Sequence, residues 1–371
     1  MKKILIMTNE FYPFKGGIGR YCEELIAVLK KNNNVTLIAP KYDGSLKDTC
    51  LSDNITLNLA PGGQFKYWHF PKLIKKVMSV SFNEYDFVLV ADWPFWMAIE
   101  FVNRFFWGKK IRYSLMLHGS EVLNLKNGKA SIFNGFLNIF SGTEKIFTNS
   151  KFTKKILYDN HTVPRDIPVV VTYLGVSNNV NLNNFHYISS ITNNPFDILT
   201  VGRLDERKGF DHVINAIGLL PGEIRENIRY TIIGNGTDEF KGKLENLAKI
   251  NNVSLSILSG VNDEELQELY IKHKVFILAA KKSDKKVEGF GLVFLEAAKY
   301  GLPSIATDVG AISEVVKDNY TGLVVKENVQ DISEAIYKVY NSRELLVAFS
   351  HNCIKEVPNF SWEKLAALTL G

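Results

Sequence analysis

Apolar residues follow two rhythms along this chain, and the rhythms alternate. "KKILIMTN" at the start is a short unbroken apolar run bounded by polar residues, which predicts a strand buried on both faces. In "GGIGRYCEELIAVLKK" the residues Ile18, Tyr21, Cys22, Leu25, Ile26 and Leu29 recur at helical spacing. "NNVTLIAP", "YDFVLVAD", "IRYSLMLHG" and "KIFTNS" read as further strands, with a helical "WPFWMAIEFVNRFF" between them. Strands alternating with helices predict βαβ units and a parallel sheet.

The texture then changes. "VSNNVNLNNFHYISSITNNP" (176–195) is rich in Asn and Ser and has no apolar period, so it reads as a linker. The alternation restarts with strand "FDILTVGRL" and helix "FDHVINAIGLL" and runs to helices near "DISEAIYKVY" and beyond. The expectation is an α/β chain of two Rossmann-like, doubly wound domains: 1–180, a linker at 181–195, and 196–358. Ligands of such sheets bind at the carboxyl ends of the strands, so the loops there hold the candidate chemistry.

Bulk properties narrow the picture. At 371 residues the chain is too long for one ordinary core. With 46% hydrophobic and 22% charged residues it fits a globular class. "MKKILIMTNEFYPF" is no secretory signal, and Asp92, Pro94 and Glu100 interrupt the longest apolar passage. Three scattered cysteines, Cys22, Cys50 and Cys353, suit a reducing cytoplasm. The net charge of +5 is uneven: residues 1–190 carry 23 basic and 14 acidic side chains, the rest 21 and 25. A basic front half points to an anionic surface or ligand; no nucleic-acid partner is expected.

Four loops stand out. Gly16 and Gly17 precede the first helix, where glycine lets amides approach a phosphate. A dinucleotide fingerprint fits poorly there: Cys22 takes the third glycine's place, and the next strand ends in Ala39-Pro40 without an acidic residue. His118 ends a strand in "LMLHGSE"; by position alone such a histidine is more often structural than part of a site. In "TVGRLDERKGFD", Arg203 and Lys208 could neutralise a diphosphate, with Asp205, Glu206 and Arg207 read as solvated surface. "IIGNG" and "LSGV", with Val261, lie on the same edge.

The fourth is "EGFGLVFLEAAKYGLP", Glu288 to Pro303. Glu288 falls in the loop and Glu296 about one turn inside an apolar helix. A buried carboxylate costs several kcal/mol unless hydrogen-bonded, and ribose hydroxyls would bond it. Amides near Gly291 would meet a phosphate. Glu288 would face the group beyond. Ribose, diphosphate and a hydroxyl-rich group together make a nucleotide sugar.

The ordered set resembles a retaining glycosyltransferase of the GT-B fold, in the large family 4, over nearly the whole chain. It comprises the glycine pair, His-Gly, G-R-L with K-G, G-N-G, and E-x7-E before "GLP". "NFSWEKLAAL" resembles the family's closing segment, whose last helix (about 359–371) crosses back to the N-terminal domain. The resemblance implies two domains facing a central cleft, the first for acceptor and the second for nucleotide sugar. It implies that Arg203 and Lys208 hold the diphosphate, Glu296 the ribose, and Glu288 the donor sugar. Amides of Phe290, Gly291 and Leu292 would bind phosphate and sugar, and the backbone near Val261 the base. Gly16 and Gly17 would reach the diphosphate, and His118 the sugar and acceptor hydroxyl. Two segments depart from the family's habit: Gly310-Ala311 for Gly-Gly, and Leu174-Gly175-Val176-Ser177 for Asn-Gly-Val-Asp.

No Asp-x-Asp triplet occurs, so neither a catalytic metal nor a cofactor is expected; cations and helix amides take the metal's place. The resemblance favours GDP-mannose over a UDP-hexose. "FKYWHFPKLIKK" (65–76) and "NRFFWGKKIRY" (103–113) mix aromatic and basic residues as a membrane interface does, though ordinary amphipathic packing gives the same pattern. The acceptor is expected to be a lipid-linked surface glycan such as O-antigen, capsule or lipopolysaccharide, made by a cytoplasmic enzyme peripheral to the membrane. A soluble acceptor, a nicotinamide-dependent dehydrogenase and a silent sugar-binding subunit are the rival readings.

Overall fold

The computed structural model describes residues 1–11, 16–40, 55–60, 66–106, 110–127, 137–176, 195–283 and 287–371. The expected linker at 181–195 therefore lies almost wholly outside the described residues. The chain divides into two compact units, Met1–Leu174 with Trp362–Gly371, and Gly175–Ser361.

The first unit is built on seven parallel strands: β1 (Lys3–Met7), β2 (Asn34–Pro40), β3 (Ile55–Ala60), β4 (Phe87–Val90), β5 (Tyr113–Leu117), β6 (Thr143–Thr148) and β7 (Val169–Val171). Their order is β3-β2-β1-β4-β5-β6-β7. Helices cover both faces of a parallel sheet, so its central strands are apolar throughout; Ile4 to Met7 of β1 are fully buried. The helix Gly17–Leu29 buries Tyr21, Cys22, Leu25, Ile26 and Leu29. The final helix, Trp362–Leu370, packs on this unit, with Trp362 against Tyr21 at 6.2 Å between rings and Lys2 Nζ donating to the Leu370 carbonyl at 3.2 Å.

The second unit holds six parallel strands, β8 (Phe196–Val201), β9 (Ile228–Ile233), β10 (Ser254–Leu258), β11 (Val275–Leu278), β12 (Ser304–Thr307) and β13 (Gly322–Val325), in the order β10-β9-β8-β11-β12-β13. Strand order reverses between β1 and β4 in the first sheet and between β8 and β11 in the second. At such a switch point the loops leave in opposite directions and open a crevice beyond the carboxyl ends. The loops after β1, β4, β8 and β11 are therefore where a ligand is to be sought. Among the described residues, no helix is long and apolar enough to cross a membrane.

Candidate functional site

In the second unit the switch point gathers charge. The loop after β8 runs through Arg203 into a 3-10 turn, Glu206–Lys208. The loop after β11 carries Glu288. Glu288 Oε2 accepts from Arg207 Nη1 and from Lys208 Nζ, both at 2.9 Å. The three side chains are only 12–14% exposed. Burial pushes the Glu288 carboxyl up, but the Lys208 and Arg207 charges and hydrogen bonds outweigh it and hold it below the usual carboxylate range.

Two glycines let these loops meet. Gly209 takes a left-handed φ of 67°, and a Cβ there would sit 1.8 Å from the Ala279 carbonyl oxygen. The cation loop is thus pressed onto the exit of β11, and Lys281 N donates to the Arg207 carbonyl at 2.7 Å. Gly310, also left-handed, lies against Glu288 from the other side, where a Cβ would come within 2.3 Å of the Glu288 carbonyl oxygen. That oxygen accepts from Ala311 N at 3.0 Å. The departure to Gly310-Ala311 thus keeps glycine where the backbone needs it.

The helix Leu292–Lys299 starts at Gly291, whose φ is 81°, and no side chain caps it. The first amides of a helix lack intrahelical acceptors and carry partial positive charge, so this end, four residues past Glu288, suits an anion. Phe290 is buried, its ring 6.1 Å from that of Phe360. Glu296 lies one turn into the helix and is 9% exposed. Tyr270 Oη donates to its Oε2 at 3.2 Å, and Tyr270 stacks on Tyr300 at 5.6 Å. Val261 follows Gly260 at the end of β10, just before the Asn262 capping box of the helix Asp263–Lys272.

The first unit's switch point has a different character. Gly16 is the N-cap residue of the helix Gly17–Leu29, and no side chain caps it. Gly17 is exposed, and a Cβ on it would meet nothing within 4 Å. His118 follows β5; its ring lies edge-on to Tyr21 at 5.0 Å. Burial lowers its pKa to about 4, opposed by a hydrogen bond to the Ala91 backbone. Nε2 is buried and without a hydrogen-bond partner among the described residues. Glu121 holds the loop by accepting from His118 N and Gly119 N.

Two charged residues, one at each unit's switch point, escaped the sequence reading. Arg207 is not solvated surface: the 3-10 turn swings it inward beside Lys208 onto Glu288. Loop spacing holds no signal for this. Arg203, by contrast, is exposed and has no ion-pair partner among the described residues. The second is Asp92, 4% exposed at the end of β4. Its carboxylate accepts from Asn9 N, from Thr8 Oγ1 at 3.1 Å and from Phe95 N at 3.4 Å. An Asp followed by Trp93-Pro94 at a strand end was a legible helix cap. Among the described residues, no group of three or more His, Cys, Asp or Glu side chains is placed to hold a metal ion.

Comparison with known proteins agrees on both halves. Residues 15–179 match the family described as "Glycosyltransferase Family 4", and residues 183–356 match "Glycosyl transferases group 1". An uncharacterized glycosyltransferase of Methanocaldococcus jannaschii is 28% identical over 363 residues, covering 97% of this chain and 95% of that protein. Among solved structures, HepE of Anabaena in complex with UDP-glucose superposes with a TM-score of 0.76 at 15% identity, covering 100% of this chain and 98% of that one. WaaG, a glycosyltransferase involved in lipopolysaccharide biosynthesis, gives 0.70 at 17%, covering 98% of each. Matched along both units and sharing the two-sheet GT-B fold, the chain belongs to the family 4 glycosyltransferases.

Proposed function

We propose that this glycosyltransferase moves a hexose from a nucleotide sugar to a lipid-linked surface glycan, with retention at C1 and without a metal ion. The observation that carries the donor half is the Arg207–Glu288–Lys208 constellation at the switch point, four residues ahead of an uncapped helix N-terminus. Lys208, Arg203 and the amides of Gly291 and Leu292 take the diphosphate. Glu296, one turn in, takes ribose hydroxyls. Glu288 takes hydroxyls of the sugar, and the backbone at Val261 meets the base. Gly16 and Gly17 approach the diphosphate from the N-terminal domain.

The bond that breaks joins sugar C1 to a phosphate oxygen. Negative charge grows on the leaving diphosphate, where fixed cations and helix amides stabilise it. Positive charge grows on the sugar ring, beside the Glu288 carboxylate. The acceptor oxygen attacks C1 from the face the phosphate leaves, and the phosphate oxygen takes the acceptor's proton. His118, which burial keeps neutral at pH 7, lies by the donor sugar and the acceptor hydroxyl.

The lipid-linked acceptor is supported by the basic first unit and by the helix Phe70–Met78. Leu73 and Val77 are buried on one side, while Lys72 and Lys75 are exposed and Trp68 just ahead is 69% exposed. WaaG's part in lipopolysaccharide biosynthesis supports it too. For the donor, the sequence motifs favour GDP-mannose, and the UDP-glucose held by HepE supports a UDP-hexose.

The test is a thermal-shift panel with GDP-mannose, UDP-glucose and NAD, run beside transfer assays of Glu288→Gln. A ligand at 100 times its Kd adds about 2.7 kcal/mol of stability. One sugar nucleotide is expected to stabilise the protein, and Glu288→Gln to keep that binding while losing most transfer. Stabilisation by NAD alone, or unchanged turnover in the variant, refutes the proposal.

A further inference from the structure

Arg207 occupies a peculiar position. It and Lys208 both bond the same oxygen, Oε2 of Glu288, at 2.9 Å each. Oε1 has no hydrogen-bond partner among the described residues. The backbone of Arg207 is fixed on both sides, its N–H donating to Asp205 Oδ1 at 2.9 Å and its carbonyl accepting from Lys281 N at 2.7 Å. Its Nε is buried without a hydrogen-bond partner among the described residues. Nothing about this arrangement serves surface solubility.

We propose that Arg207 is a positioning residue, the standing counter-charge of Glu288, which lets that carboxylate and a nucleotide diphosphate occupy neighbouring places together. The inference rests on the donor-site reading above. With one carboxylate against two cations, the cluster carries a net charge of +1. An arriving diphosphate competes with Glu288 for Lys208. If it wins Lys208 and nothing else neutralises Glu288, a buried carboxylate stands unpaired beside a second anion, which is strongly unfavourable. Arg207 removes that cost. A guanidinium, planar and anchored, stays with the carboxylate, while a lysine ammonium on a flexible stem changes partners easily. Glu288 then keeps its orientation, with Oε1 open to a sugar hydroxyl.

The test is a double-mutant cycle on the full chain, read by titration calorimetry with UDP and GDP in parallel. Arg207→Met is expected to weaken binding of the preferred nucleotide at least tenfold, because Lys208 is then held by an otherwise unpaired Glu288. In the Glu288→Gln background the same change is expected to cost less than threefold, since no carboxylate remains to neutralise. Arg207→Lys is expected to recover only part of the affinity, since it restores the charge without the planar, anchored fork. Equal losses in both backgrounds overturn the inference by making Arg207 a direct phosphate ligand. No loss in either overturns it by making Arg207 surface. If the wild-type chain binds neither nucleotide, the donor-site reading falls first and this inference with it.

Discussion

Asp92→Asn tests how the first unit holds a carboxylate at its switch point. Burial pushes the Asp92 carboxyl from 3.8 up to about 7, against the opposing hydrogen bonds from Asn9, Phe95 and Thr8. A carboxylate whose pKa rises on folding stabilises the fold only while protonated. Its contribution is full below about pH 4, is lost as pH climbs towards 7, and levels off above that. From 3.8 to about 7, at ~1.36 kcal/mol per pH unit crossed, the loss reaches ~4 kcal/mol at most. Asparagine caps a helix as well as aspartate does but offers one acceptor oxygen where Asp92 uses two. The variant should therefore start ~1–2 kcal/mol below wild type near pH 5, from the lost hydrogen bond. It should draw level and then lead as pH rises to 8. The described tryptophans, Trp68, Trp93, Trp96 and Trp362, lie in the first unit, and the second unit's range holds none, so urea unfolding followed by tryptophan fluorescence reports on the first selectively. Titrations common to both proteins cancel in the difference. A difference that stays constant from pH 5 to pH 8 refutes the reasoning and makes Asp92 an ordinary ionised cap.

Transfer activity is expected to survive excess EDTA; full loss restored by magnesium or manganese would overturn the metal-free reading. Replacing Lys72, Lys75 and Lys76 with Ser is expected to reduce co-sedimentation with anionic vesicles and leave nucleotide affinity intact. That binding should weaken with salt, since exposed charges more than ~8 Å apart are largely screened at physiological ionic strength. Equal sedimentation with neutral and anionic vesicles would favour a soluble acceptor.

Periodicity alone announced the central strands and the helices between them, because a strand covered on both faces must be apolar at every position. β4 and β11 are such runs, and β1, β5 and β8 depart from the pattern only at Lys3, Ser114, Asp197 and Thr200. The outer strands β3, β7 and β13 went unread. They end their sheets; β7 and β13 are only three and four residues long, so length does not mark them, whereas the six-residue β3, "ITLNLA", alternates and was legible. Glu288 in a loop and Glu296 inside a mostly buried helix were also legible, since an apolar stretch has no packing reason to hold two carboxylates. What the chain order could not tell was which charges meet. Glu288 and Arg207 are 81 positions apart, and their contact exists because strand order reverses between β8 and β11 while Gly209 and Gly310 let three backbones close to within a carbonyl's width. Likewise, the sequence showed His118 at a strand end, but only burial beside Tyr21, acting against the Ala91 hydrogen bond, makes it a neutral imidazole. Local pattern reports burial, which each residue carries in its own chemistry; partnership and protonation depend on neighbours that only the folded chain brings within reach.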